Sequence, residues 1–85
     1  MKPVTIYTKQ SCIYCHAAKR LLTRKRVEFT EIDIGREPEL RAEMIQKANG
    51  RSTVPQIWIG EVHVGGFDDI DRLEARGRLD AMLEG

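Results

Sequence analysis

In VTIY, Val4 and Ile6 alternate with Thr5 and Tyr7, the two-residue period of a short strand rich in β-branched side chains. From Ile13 the period lengthens. Apolar positions recur at Ala17 and Leu21, with Tyr14, Ala18 and Leu22 alongside, which predicts a helix with Cys12 at its N-terminal edge. VEFTEIDI is β-prone but shifts its alternation midway, so it predicts a second strand without choosing its inward face. Glu37 and Pro38 are expected to open a second helix, because proline is tolerated in the first turn; Leu40, Met44, Ile45 and Ala48 supply its apolar stripe and Gly50 ends it. Two further β-rich runs, Gln56 to Ile59 and Val62 to Val64, flank Gly60-Glu61, a two-residue connection with glycine first that suits a type II′ hairpin. Asp68 is expected to N-cap a last helix carrying Ile70 and Leu73 and broken near Gly77, after which Leu79, Met82 and Leu83 pack as a final turn.

The order is therefore β-α-β-α-β-β-α, an α/β fold. A helix between the first two strands implies a right-handed parallel crossover, and the hairpin must pair antiparallel, so the expectation is a small four-stranded mixed sheet flanked by helices in three layers. A chain of 85 residues fills one modest core, so residues 1–85 are expected to form a single domain.

Composition narrows the class. With 41% hydrophobic and 32% charged residues and three prolines, the chain has the balance of a soluble globular protein rather than a disordered one. No stretch approaches the roughly 18 consecutive apolar residues of a membrane span, and MKPVTIYT has no signal-like apolar run behind its lysine. A cytoplasmic location is expected, where thiols stay reduced. The net charge of +1 gives no field that would draw the whole molecule to nucleic acid or a membrane, so neither is expected as a partner. The charge is unevenly spread: residues 1–26 carry Lys2, Lys9, Lys19, Arg20, Arg24, Lys25 and Arg26 and no acid, and all thirteen acids lie beyond them. KRLLTRKR reads first as a solvated helix face, with a weak pull on anions as a second reading.

The only two cysteines, Cys12 and Cys15, lie two residues apart in QSCIYCHAAK. Four readings compete. A purely structural disulfide closing so short a loop removes little unfolded-chain entropy. Zinc would need Cys12, Cys15, His16 and His63, but one histidine adjoins a cysteine and the other sits in the hairpin. Two cysteines buried as small hydrophobes are common elsewhere. Placement at a helix N-terminus favours the fourth reading, thiol-disulfide exchange. Unpaired N–H groups and the positive end of the helix dipole stabilise an anion there, so Cys12 is expected to carry the thiolate and attack. Cys15, one turn deeper on the same face, is expected to resolve. His16 points away from its neighbour Cys15 on a helix and reads as a surface residue, and Trp58 reads as a packed sheet aromatic.

Three separated motifs then resemble those of glutaredoxins of the small dithiol class, along essentially the whole length. YTKQSCIYC resembles the family's Tyr-Thr-Lys before a Cys-Pro-Tyr-Cys site, RSTVPQIWI its Thr-Val-Pro-Gln segment, and GGFDD its Gly-Gly turn and acidic pair. The resemblance implies a thioredoxin-like fold and a monomeric enzyme that reduces glutathionylated or disulfide-containing proteins. Glutathione would be the reducing co-substrate, with no tightly bound cofactor and no metal. It implies a glutathione site at Lys9, Tyr14, Thr53, Val54, Pro55, Gly66, Phe67 and Asp68. In it Lys9 would supply a cation for a carboxylate, Tyr14 an aromatic wall, and Val54, before a cis Pro55, a backbone edge that pairs with the ligand as an added strand. Pro55 also reads as a simple strand-edge residue. Gly65 and Gly66 would let the backbone approach the ligand, and the N–H groups of Phe67 and Asp68 would hold its γ-glutamyl carboxylate.

Ile13 stands where the family commonly has proline, which adds an N–H to the first turn and gives up a fixed φ. In some members a cluster of iron and sulfur binds at a dimer interface through the first cysteine and glutathione, and that proline is thought to discourage it. Two alternatives follow: a glutathione-ligated cluster carrier, and a glutaredoxin-like donor reduced by thioredoxin reductase. Tyr14 and Cys15 speak against the monothiol class that specialises in clusters.

Overall fold

The computed structural model describes residues 1–85. Its elements are β1 (Val4–Thr8), α1 (Ile13–Arg24), β2 (Phe29–Asp33), α2 (Leu40–Lys47), β3 (Gln56–Ile59), β4 (Val62–Gly65), α3 (Phe67–Ala75) and α4 (Leu79–Glu84). The sheet runs β2-β1-β3-β4, with β1 parallel to β2 and antiparallel to β3, and β3 antiparallel to β4. This is the expected four-stranded mixed sheet of a thioredoxin-like fold. Its one departure in order is at the end, where the final turn is a separate helix α4: Gly77, at φ +68°, breaks the chain after α3, and Leu79 and Leu83 bury the new helix.

Helices cover both faces of the sheet, and this explains β1. Val4 and Ile6 face a core with Leu21 and Leu22 of α1, Ile70 of α3, and Leu79 and Leu83 of α4. Tyr7 faces the other side, in a smaller cluster with Trp58, Ile34, and Met44 and Ala48 of α2. Alternation along β1 therefore sorts residues between two cores, not between core and water, and all but Thr5 are buried. Trp58 is the packed sheet aromatic expected, 5.3 Å edge-on from Tyr7.

Three local expectations are corrected. The buried stripe of α1 is Cys15, Ala18, Leu21 and Leu22, while Ile13 and Tyr14 stand 77% and 61% exposed. The apolar period counts Ile13 and Tyr14 into a stripe whose buried part begins at Cys15. Helix α2 begins at Leu40, because Pro38 and Glu37 lead in through a turn whose carbonyls accept from Arg41 and Leu40. Asp68 does not cap α3. Gly66 is the N-cap residue, and Asp69 closes the first turn by accepting the Gly66 N–H at 2.8 Å.

The hairpin is as expected. Gly60 has φ +59° and Glu61 has no positive φ, as a type II′ connection requires. No helix is long and apolar enough to cross a membrane.

Candidate active site

Cys12 is the N-cap residue of α1, with extended backbone, and its sulfur accepts the Cys15 N–H at 3.0 Å. Cysteine takes the place a serine or aspartate usually fills. The first turn of α1 carries no acid, so nothing opposes the positive helix end around this sulfur. The thiol also reaches the Val54 carbonyl, 3.6 Å away. Cys12 is half-buried and Cys15 wholly buried, and both are free thiols. Burial pushes the Cys15 thiol up to about 12, helped by its hydrogen bond with Cys12 and the Cys12 charge, and opposed by the Lys9 backbone and Lys19. At neutral pH Cys15 is therefore protonated.

The Val54–Pro55 bond is cis, and Val54 ends the loop that leads into β3. A groove of about 300 Å³ lies beside Cys12, lined by Tyr14, Thr53, Val54 and Pro55 on one side and by Gly66, Phe67 and Asp68 on the other. Tyr14 and Phe67 stack across it, ring centres 5.9 Å apart. Seven of the residues marked in the sequence thus meet in one groove. Lys9 is not among its lining; its carbonyl accepts the Cys12 N–H at 3.2 Å, so it belongs to the loop that sets up Cys12.

Two groove residues escaped the sequence reading, Arg51 and Asp69. Arg51 Nη1 pairs with Asp69 Oδ2 at 3.2 Å. Burial works to raise the Asp69 carboxyl, but the Gly66 N–H and Arg51 outweigh it and hold it below the usual carboxylate range. This pair also gives the reason for Gly65. A Cβ there would collide with the Asp69 carboxylate and come within 2.7 Å of Arg51 Nη1, and φ is +119°. Gly65 thus makes room for an internal ion pair, not directly for a ligand, whereas Gly66 faces the Pro55 carbonyl across the groove.

Behind the groove, Gln56 is fully buried and its amide donates to the Thr53 carbonyl at 3.0 Å and hydroxyl at 3.2 Å. Its oxygen must then accept, so His63 carries the proton on Nε2, 2.7 Å away. His63 stacks on Trp58, and burial and Arg51 depress its pKa. His16 is exposed and bonds the Gln10 carbonyl through Nε2. Neither histidine approaches the cysteines as a ligand, and no three His, Cys, Asp or Glu side chains gather to hold a metal ion.

Residues 4–64 match the family model described as Glutaredoxin. The chain belongs to the glutaredoxin family. The glutaredoxin of Pseudomonas aeruginosa is 60% identical over 83 residues, covering 98% of each chain. Glutaredoxin 3 of Escherichia coli K12 is 52% identical over 84 residues, 99% of this chain and all of that one. Among solved structures, the glutaredoxin of Brucella melitensis superposes with a TM-score of 0.85 at 57% identity, over 98% of this chain and 89% of that one. A buckwheat glutaredoxin-glutathione complex superposes at 0.89 and 29% identity, over 98% and 77%. As a glutaredoxin this protein is a thiol-disulfide oxidoreductase, and the Cys12-Cys15 pair is the only dithiol it has for that chemistry.

Proposed function

We propose that this glutaredoxin uses glutathione to reduce protein-glutathione mixed disulfides and protein disulfides, with Cys12 as nucleophile and Cys15 as resolving thiol. The observation that carries this reading is the position of the Cys12 sulfur, at a helix N-terminus, 3.6 Å from the Val54 carbonyl and beside the groove. A tripeptide laid along Val54 as an added strand would bring its own sulfur to Cys12. The free N–H groups of Phe67 and Asp68 in the first turn of α3 would take its γ-glutamyl carboxylate, and Asp68 its ammonium. Tyr14 and Phe67 would wall the site, with Thr53, Pro55 and Gly66 shaping it. Arg51, which lines the groove, would supply a cation for a ligand carboxylate, and Lys9, in the loop before Cys12, would be a second one from outside the lining. The buckwheat complex, a glutaredoxin with glutathione, supports this choice of ligand.

The chemistry balances in two steps. The Cys12 thiolate attacks the glutathione sulfur of a mixed disulfide; the Cys12–glutathione disulfide forms and the protein thiolate leaves. A second glutathione thiolate then attacks, releasing glutathione disulfide and restoring Cys12. With a protein disulfide, Cys12 forms the mixed disulfide, Cys15 attacks the Cys12 sulfur, the substrate leaves as a dithiol, and two glutathiones reduce the Cys12–Cys15 bond. Capping Cys12 in a disulfide removes its charge, one of the influences that hold Cys15 protonated, so the resolving thiol is eased towards ionisation at the moment it is needed.

A metal cluster does not fit one copy of this chain, because Cys12 is its only accessible thiol. The reading takes residues 1–85 as one domain acting as a cytoplasmic monomer. Its test is turnover of a small glutathionylated disulfide at varied glutathione, with thioredoxin reductase as the comparison donor. Turnover that depends on glutathione supports the reading; turnover driven by the reductase alone overturns it.

A further inference from the structure

A second groove, about 330 Å³, runs along the other side of Asp69, between β4 and the C-terminal half of α3. Its floor is apolar, from the half-buried Val64, Leu73 and Met82, with Val62 exposed at the mouth. Its rim is Arg72, Arg76 and Arg78, all exposed. Arg76 and Arg78 take part in no ion pair, and Arg72 has only Asp69 Oδ1 at 3.5 Å. Asp69 is the one acid in the lining, and its other oxygen is already held by Gly66 and Arg51. The rim is therefore cationic and unneutralised. Strand β4 is an edge of the sheet, so its outer side pairs with no strand. Asp69 lines both grooves, so the two adjoin across this side chain.

We propose that this second groove docks an acidic, extended segment of the protein substrates. The segment adds to the free edge of β4, sets alternate apolar side chains on Val64, Leu73 and Met82, and places its carboxylates over Arg72, Arg76 and Arg78. Carboxylate is the matching chemistry because arginine forks bind it in a bidentate manner and no acid of the chain pairs with Arg76 or Arg78. The only aromatic ring in the lining is His63, and it is already stacked on Trp58 with ring centres 4.6 Å apart, which favours peptide over nucleic acid. A substrate disulfide at Cys12 and its flanking chain in this groove would engage the two together, so protein substrates gain an affinity that glutathione cannot share. The inference rests on the exchange reading above only in taking the partner to be a substrate.

The probe is a ten-residue peptide without cysteine, alternating Asp or Glu with Val or Leu, beside a control with Lys in place of the acids. Amide shifts of the reduced full-length protein are followed by NMR. The acidic peptide should move residues 62–65 and 72–78, weaken several-fold between about 0.05 M and 0.5 M salt, and lose about tenfold in affinity in the Arg76→Glu/Arg78→Glu variant. Arg76→Ala/Arg78→Ala should show a smaller loss in the same direction. The variant should retain full turnover of a small glutathionylated disulfide. The proposal is overturned if the shifts fall instead on Lys19, Arg20 and Arg24 of α1, if charge reversal leaves the affinity unchanged, or if a short DNA duplex gives the same shifts more strongly than the peptide. Because the peptide has no thiol, its binding is read separately from glutathione turnover, and either can fail alone.

Discussion

Cys12 and Cys15, with two residues between them, sit at the start of one helix in two different surroundings. Cys12 caps the N-terminus of α1, where its sulfur accepts the Cys15 N–H, within reach of the Val54 carbonyl. Cys15 is one turn on, fully buried between the helix and the sheet, and pushed up to about 12, mainly by that burial. The same side chain is thus made accessible and anion-compatible in one place and protonated and sheltered in the other. A single turn of helix takes the chain from half-buried at Cys12 to wholly buried at Cys15. Ile13 and Tyr14, exposed between the two thiols, mark that boundary.

The sharpest way to break this division is Cys12→Ser, which removes the attacking sulfur. Turnover of both glutathionylated and protein disulfides should fall at least a thousandfold, because no second sulfur is accessible. Residual activity through Cys15 would show that the buried thiol is reachable. Alkylation of the reduced protein gives the next effect: at neutral pH iodoacetamide should modify Cys12 at least about tenfold faster than Cys15, read by peptide mass. Equal rates would erase the distinction.

Arg51→Glu turns an attraction for a carboxylate into a repulsion at the groove. The Michaelis constant for a glutathionylated substrate should rise about three- to tenfold, with little change in kcat. Lys9→Glu should act in the same direction, and an unchanged constant in either variant would remove that cation from the site. The smallest effect concerns stability. Asp69→Ala removes the bond to Gly66 and the partly exposed pair with Arg51, and should cost about 1 kcal/mol at neutral pH by denaturant unfolding. The folded carboxyl lies below its usual value, so its stabilisation is present above the unfolded pKa of about 3.9 and is lost as pH falls through the folded one. The deficit of Asp69→Ala should therefore shrink below about pH 4; a deficit independent of pH would contradict the assignment.

Much of this was legible along the chain because local rules and tertiary packing agree. The hairpin at Gly60, the strands and the Cys12 cap position follow from short-range patterns, and the residues on both sides of the groove from the family resemblance of three short motifs. Where the reading failed, the deciding partner was distant in sequence. Gly65 needs to be glycine because of Asp69 and Arg51, and Arg51, two residues before Thr53, has a role only once α3 brings Asp69 to it. Asp68 is the cap the sequence suggests, and only the backbone shows that α3 starts two residues earlier at Gly66 with Asp69 closing its first turn. The apolar period of α1 counted Ile13 and Tyr14 with its stripe, because side-chain polarity alone does not show which apolar residues a partner covers. The alternation of β1 could not show that α2 covers its second face.

The central claim is that the two thiols have separable roles, and Cys15→Ser tests it most directly. The variant is assayed with glutathione on two substrates, a small glutathionylated disulfide and an intramolecular protein disulfide. The account predicts that deglutathionylation persists within about threefold of the parent while reduction of the protein disulfide falls at least about tenfold, since a second glutathione can replace Cys15 only when glutathione already occupies Cys12. If Cys15→Ser is as inactive as Cys12→Ser on the glutathionylated substrate, the separation of roles is wrong.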